Sequence, residues 1–125
     1  MSLKDLTFAL IDDDKTMLKI LGALFEEGDL TYSPFHSAST AIIDIIEEQP
    51  DCVITDINMA GMDGLSLIKE LRKNDIMANT KYIVITANQG DEWKEKAKEA
   101  GAHGFILKPF DTDNLLKQVE AICLG

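Results

Sequence analysis

The stretch "FALIDDDKT", residues 8–16, decides the fold. Phe8 to Ile11 are apolar without a break, the pattern of a strand buried on both faces of a parallel sheet. Three adjacent carboxylates, Asp12, Asp13 and Asp14, follow at once. Two carboxylates about 4 Å apart repel by roughly 4 kcal/mol at a protein-surface dielectric of about 20. Acids crowded at the end of a core strand therefore call for positive charge gathered at the same place.

Outward from that strand, short apolar runs alternate with amphipathic segments along the whole chain, as in a parallel sheet covered by helices. Strands are expected at Thr7–Ile11, Leu30–Phe35, Cys52–Thr55, Tyr82–Thr86 and Gly104–Leu107. Five helical patterns lie between and after them. The first carries Met17, Leu18, Leu21, Leu24 and Phe25 and stops at Gly28. The second carries Ala38, Ala41, Ile42, Ile45 and Ile46 and ends at Pro50, and the third carries Leu65, Ile68 and Leu71. "DEWKEKAKEAG" has only Trp93, Ala97 and Ala100 to bury, which predicts the most loosely held helix. Asp111 is the expected N-cap of a last helix bearing Leu115, Leu116, Val119 and Ile122. Pro34 lacks a ladder donor and assigns the second strand to a sheet edge. These elements predict one α/β domain over residues 1–125, with a flavodoxin-like, doubly wound (βα)5 arrangement and five parallel strands in the order 2-1-3-4-5.

Twelve Lys and Arg against 22 Asp and Glu give a net charge of -10, which disfavours nucleic acid and anionic lipid as partners. Cys52 and Cys123 have no paired spacing and suit a reducing compartment. The N-terminus lacks the apolar core of a signal peptide, and no apolar run is long enough to span a bilayer, so a cytoplasmic location is expected. His36 and His103 have no metal-ligand spacing to any nearby Cys or Asp and are taken as structural or exposed. Trp93 and the methionines are taken as core filling.

In a doubly wound sheet the ligand site lies beyond the carboxyl ends of the strands. Strand one delivers Asp12, Asp13 and Asp14 there, strand three Asp56, strand four Thr86 and strand five Lys108. Clustered carboxylates suit a hard divalent cation such as Mg²⁺ (or Mn²⁺), which takes oxygen ligands and keeps waters that a phosphate can replace. Lys108 adds a second positive charge, expected to pair with Asp56 at rest.

The acidic pair Asp12 and Asp13, "TDINMAGMDG" around Asp56, "TA" at Thr86 and Ala87, and "KPF" from Lys108 occur in order at the strand ends. In these motifs the chain resembles the receiver domain of two-component response regulators, in its single-domain form similar to a chemotaxis regulator. The resemblance implies that Asp56 is phosphorylated by a histidine kinase, a phosphotransfer protein or a small phosphodonor. It implies Mg²⁺ held by Asp13, Asp56 and the backbone carbonyl of Asn58, with Asp12 acting mostly through a bound water. Asp14 matches no ligand and is expected to favour the first turn of a helix. Thr86 and Lys108 would each bind a phosphoryl oxygen, across an expected cis Lys108-Pro109 bond. Thr86 would then move toward the phosphoryl group, Phe105 would fill the space it leaves, and the face of helix four, strand five and helix five would act on a target protein or a fused output domain. The chain would thus be a switch that assists its own phosphorylation and dephosphorylation.

Two positions depart from the family pattern. Ala60 stands where proline is usual and frees the loop after Asp56, and Phe105 stands where tyrosine is common and has no hydroxyl to donate. A haloacid-dehalogenase-like phosphatase would need an aspartate where Asn58 stands. A flavin carrier would need a Ser/Thr/Gly-rich phosphate loop where Asp12 to Asp14 stand, and a pseudo-receiver would capture a partner without taking a phosphoryl group.

Overall fold

The computed structural model describes residues 1–125. β1 (Thr7–Ile11), β2 (Thr31–Phe35), β3 (Cys52–Thr55), β4 (Lys81–Thr86) and β5 (Gly104–Leu107) form one sheet in the order β2-β1-β3-β4-β5, with every pairing parallel. The expected edge is found: β2 is nowhere fully buried, whereas every residue of β3 is. Pro34 faces Leu10 in the register. Leu30 falls just outside β2, and Lys81 joins β4 because its N–H donates to the Asp51 carbonyl at 2.9 Å.

Alternation along the strands divides the core in two. Phe8, Leu10, Cys52, Ile54, Ile83, Ile85 and Ile106 face α1 (Lys15–Glu27) and α5 (Leu115–Leu124), which supply Leu18, Leu21, Phe25, Leu115 and Val119. Phe8 and Phe25 meet edge to face at 5.0 Å, a favoured aromatic geometry. Ala9, Ile11, Val53, Tyr82 and Val84 face α2 (Ala38–Glu48), α3 (Gly64–Arg72) and α4 (Asp91–Ala100). The chain thus winds outward in opposite directions from β1 and β3, leaving a crevice at the carboxyl ends of those neighbours.

Local chemistry sets the helix ends. The Asp14 carboxylate accepts from the N–H groups of Thr16 and Met17, so the third acid of the run is the N-cap of α1. Gly28 closes that helix, and Gln49, with φ of 50°, closes α2 before Pro50. The last helix starts later than Asp111 suggests: its N-cap is Asn114. Asp111 instead closes the preceding turn, its carboxylate accepting from Asp113 N–H at 2.9 Å and from the Asn114 side chain at 2.7 Å. α4 buries only Ala97 and Ala100, in line with the loose packing expected.

Candidate functional site

The ladder hydrogen bonds continue one residue beyond the strands and aim the site. Asp12 N–H donates to the Phe35 carbonyl at 3.1 Å, Asp56 N–H to the Ile11 carbonyl at 3.1 Å, and Lys108 N–H to the Thr86 carbonyl at 2.8 Å. Each functional residue is therefore fixed at its backbone by a neighbouring strand, and the parallel register brings all of them to one end of the sheet. Gly64 at the start of α3 belongs to the same support. A Cβ there would strike the backbone carbonyl of Asp56, so only glycine lets α3 approach the loop this closely.

Lys108 Nζ donates to Asp12 Oδ2 at 3.0 Å and to Asp56 Oδ2 at 3.1 Å. The expected pairing with Asp56 is thus half of a shared bridge between β1 and β3. Both carboxylates are further oriented: Asp12 Oδ1 accepts from Asp14 N–H at 3.0 Å, and Asp56 Oδ1 from Ile57 N–H at 2.7 Å. Asp12 is only 1% exposed, and that burial raises its carboxyl above the ordinary value despite the Asp14 amide and the Lys108 ammonium. Burial pulls the Lys108 ammonium down, but its hydrogen bonds and charge attraction to Asp12 and Asp56 leave it raised overall. The Lys108-Pro109 bond is cis, as expected.

Asp13 reaches across to the loop after Asp56, where Oδ2 accepts from Ala60 N–H at 2.9 Å. Thr86 is fully buried, and its Oγ1 accepts from Asn88 N–H at 3.2 Å, which leaves the hydroxyl proton free for another acceptor. Asn58 Nδ2 donates to Asn88 Oδ1 at 3.0 Å and ties the loop after β3 to the loop after β4. Asn88 was not predicted. The available signal was its place two residues beyond Thr86, where Asn commonly turns the backbone. Phe105 lies on β5, partly buried against the core beneath α4.

Asp12, Asp13 and Asp56 set three carboxylates against one ammonium. Lys108 already bridges two of them, and the three carboxylates still outnumber the one ammonium. No three His, Cys, Asp or Glu side chains close into a ready metal cage. An open basin of hard oxygens nevertheless fits Mg²⁺, which retains several waters and needs few protein ligands.

The family model for the response regulator receiver domain matches residues 8–120. The chain is 31% identical over 122 residues to chemotaxis protein CheY-3 of Vibrio cholerae serotype O1, covering 95% of this chain and 92% of that protein. It is 30% identical over 111 residues to the DNA-binding transcriptional regulator NtrC of Salmonella typhimurium, covering 89% of this chain but spanning only 23% of that relative. Among solved structures, chemotaxis response regulator CheY4 of Vibrio cholerae superposes with a TM-score of 0.88 at 22% identity, covering 94% of this chain and 98% of that one. The BeF3-activated DrrB receiver domain superposes with a TM-score of 0.83 at 26% identity, covering 94% and 96%. Receiver domains are phosphoacceptor switches that generally bind Mg²⁺ in an acidic pocket and work with histidine kinases and output domains. No helix is long and apolar enough to cross a membrane. By the agreement of strand order, strand-end chemistry and sequence match, the chain belongs to the receiver domain family of two-component response regulators.

Proposed function

We propose that residues 1–125 act as one receiver unit in which Asp56 is the phosphoacceptor and Asp12, Asp13, Thr86 and Lys108 are its working partners. The observation that carries this reading is the Lys108 ammonium shared between Asp12 and Asp56 at the carboxyl end of the sheet. A carboxylate oxygen of Asp56 attacks the phosphorus of a phosphohistidine or small acyl phosphate in line. The new O–P bond forms as the bond to the donor breaks, and its electron pair leaves with the donor. Positioning and charge neutralisation supply most of the acceleration in such transfers. Asp13, Asp56 and the Asn58 carbonyl would hold Mg²⁺, with Asp12 acting mostly through a bound water, and the ion would supply charge neutralisation at the phosphoryl oxygens.

Lys108, freed from the charge that Asp56 has spent in the new bond, donates to one phosphoryl oxygen. Thr86 donates its unused hydroxyl proton to another. Its movement toward the phosphoryl group gives Phe105 room to turn inward, and the surface of α4, β5 and α5 changes shape for a target protein or output domain. A water aligned by the same groups hydrolyses the acyl phosphate and resets the switch. The chain's free thiols suit a cytoplasmic setting, where a histidine kinase or phosphotransfer protein would serve as donor.

The test is intact mass after incubation with acetyl phosphate, with and without Mg²⁺, on the wild type and on Asp56→Asn. One phosphoryl adduct that requires Mg²⁺ and is absent from the variant is expected. No adduct on the wild type would sink the phosphoacceptor reading and favour partner capture alone.

A further inference from the structure

The opposite end of the sheet holds a second polar cavity, of about 290 Å³, between the end of α3, the turn at Asp75–Met77, the start of β4 and the turn from α4 into β5. We propose that this cavity binds a small anion bearing a carboxylate or phosphate group, held by Arg72, Tyr82 and His103. Tyr82 is 1% exposed and its hydroxyl is buried without a hydrogen-bond partner, although the residue lines the cavity. A buried phenol is ordinarily partnered, so an unpaired one at a cavity wall marks the place of a missing acceptor or donor.

The neighbouring groups decide which it is. His103 Nδ1 accepts the backbone N–H of Tyr82 at 3.0 Å, so the neutral ring carries its proton on Nε2 and offers a donor. The ring stacks on Tyr82 at 6.1 Å, which fixes its plane. Burial and the charges of Lys81 and Arg72 hold this imidazole below the ordinary histidine value, which keeps that tautomer neutral. Arg72 Nη1 donates to the Ala100 carbonyl at 3.1 Å, leaving most of its fork of five donors unspent. Gly101 leaves room for the guanidinium: its φ is 113°, and a Cβ there would strike Arg72. No Asp or Glu lines the cavity, in a chain that carries 22 of them.

Arg72, Tyr82 and His103 thus line one space with donor-bearing side chains and no carboxylate. That set recognises an anion by charge-assisted hydrogen bonds. The volume, at the small end of ligand pockets, limits it to a molecule of few heavy atoms. None of these residues belongs to the phosphoryl site, so the two sites stand or fall separately.

The experiment is a two-dimensional amide NMR titration of the whole chain, without Mg²⁺, using malonate in one arm and inorganic phosphate in the other, with NaCl holding ionic strength constant. Saturable shifts of the Ala78, Gly101 and His103 amides are expected, with a Kd on the order of 1 mM, weakened at least about tenfold in Tyr82→Phe and in Arg72→Gln. Saturation in one arm alone identifies the anion class and supports the site. Tyr82→Phe removes only an oxygen and keeps the test valid if Arg72→Gln fails to fold. Shifts that never saturate in either arm, or a Tyr82→Phe chain that binds like wild type, would overturn the proposal. So would a Tyr82→Phe chain melting several degrees lower without anion, since the hydroxyl would then be satisfied by an internal water.

Discussion

Asp12 sets stability against its proposed function at a single residue. Its carboxylate is almost wholly buried, and burial raises its pKa more than the Asp14 amide and the Lys108 ammonium can lower it. A carboxyl raised in the folded state binds more proton there than in the unfolded chain, between the ordinary value of 3.8 and the raised one. Stability then falls as pH rises through that window and stays reduced at neutral pH. Asparagine keeps one oxygen for the Asp14 N–H and gives up the acceptor facing Lys108, which retains Asp56, but it carries no charge to desolvate. In chelator-treated protein, Asp12→Asn is therefore expected to be more stable than wild type by about 1 kcal/mol at pH 7, a gain typical of relieving a functional site. The gain should shrink as the buffer is acidified toward the ordinary aspartate range. Urea midpoints at pH 7 and pH 4 check this, and a variant less stable than wild type at pH 7 would refute it. Asp12, Asp56 and Lys108 were legible in the sequence because each follows directly on an apolar strand, where position alone makes a charged residue conspicuous, and Asp13 because it stands beside Asp12. Asn88 was less so, because its place in the turn after Thr86 is the one local signal and its contact with Asn58 spans 30 residues.

Among the elements, α1 explains why three acids stand together: two belong to the proposed site and the third starts a helix. Asp14 Oδ1 accepts from Thr16 N–H at 3.0 Å and from Met17 N–H at 3.2 Å, satisfying donors that a helix start leaves unpaired. Replacing such a cap by alanine costs about 1 kcal/mol. Asp14→Ala should accordingly lower the urea midpoint while leaving the Mg²⁺-dependent acetyl phosphate adduct intact. Loss of the adduct in a folded Asp14→Ala chain would move the third acid from the helix into the site. The strands were legible nearly to the residue because most of their apolar runs stop at a charge, as β1 does at Asp12, β3 at Asp56 and β5 at Lys108. The start of α5 was not, since Asp111 and Asn114 are both good caps and the choice depends on a turn that Asp111 closes with its own side chain. The turns at Leu3–Asp5 and Asp75–Met77 are too short to carry a hydrophobic period and leave no mark in the sequence.

At the scale of the whole molecule, a net charge of -10 acts on every titration with salt, and the acidic site must be separated from it. Like charge spread over the surface destabilises the compact state, so any added electrolyte relieves some repulsion by screening. The three carboxylates of the site make a different demand, because they stand against a single ammonium whose reach is already divided between Asp12 and Asp56. A ligand that binds only the folded chain adds about 2.7 kcal/mol at one hundred times its Kd. Screening depends on ionic strength alone, which is the same in about 10 mM MgCl2 and about 30 mM NaCl. MgCl2 at that strength is therefore expected to raise the melting temperature by several degrees more than NaCl. Asp13→Asn and Asp56→Asn should lose the excess and keep the response to NaCl, since each amide keeps one oxygen, for the Ala60 N–H and the Ile57 N–H respectively. Equal shifts from the two salts in the wild type would mean that Mg²⁺ acts on the surface as a whole. An excess that survives in both variants would mean that the ion binds away from the carboxyl ends of β1 and β3.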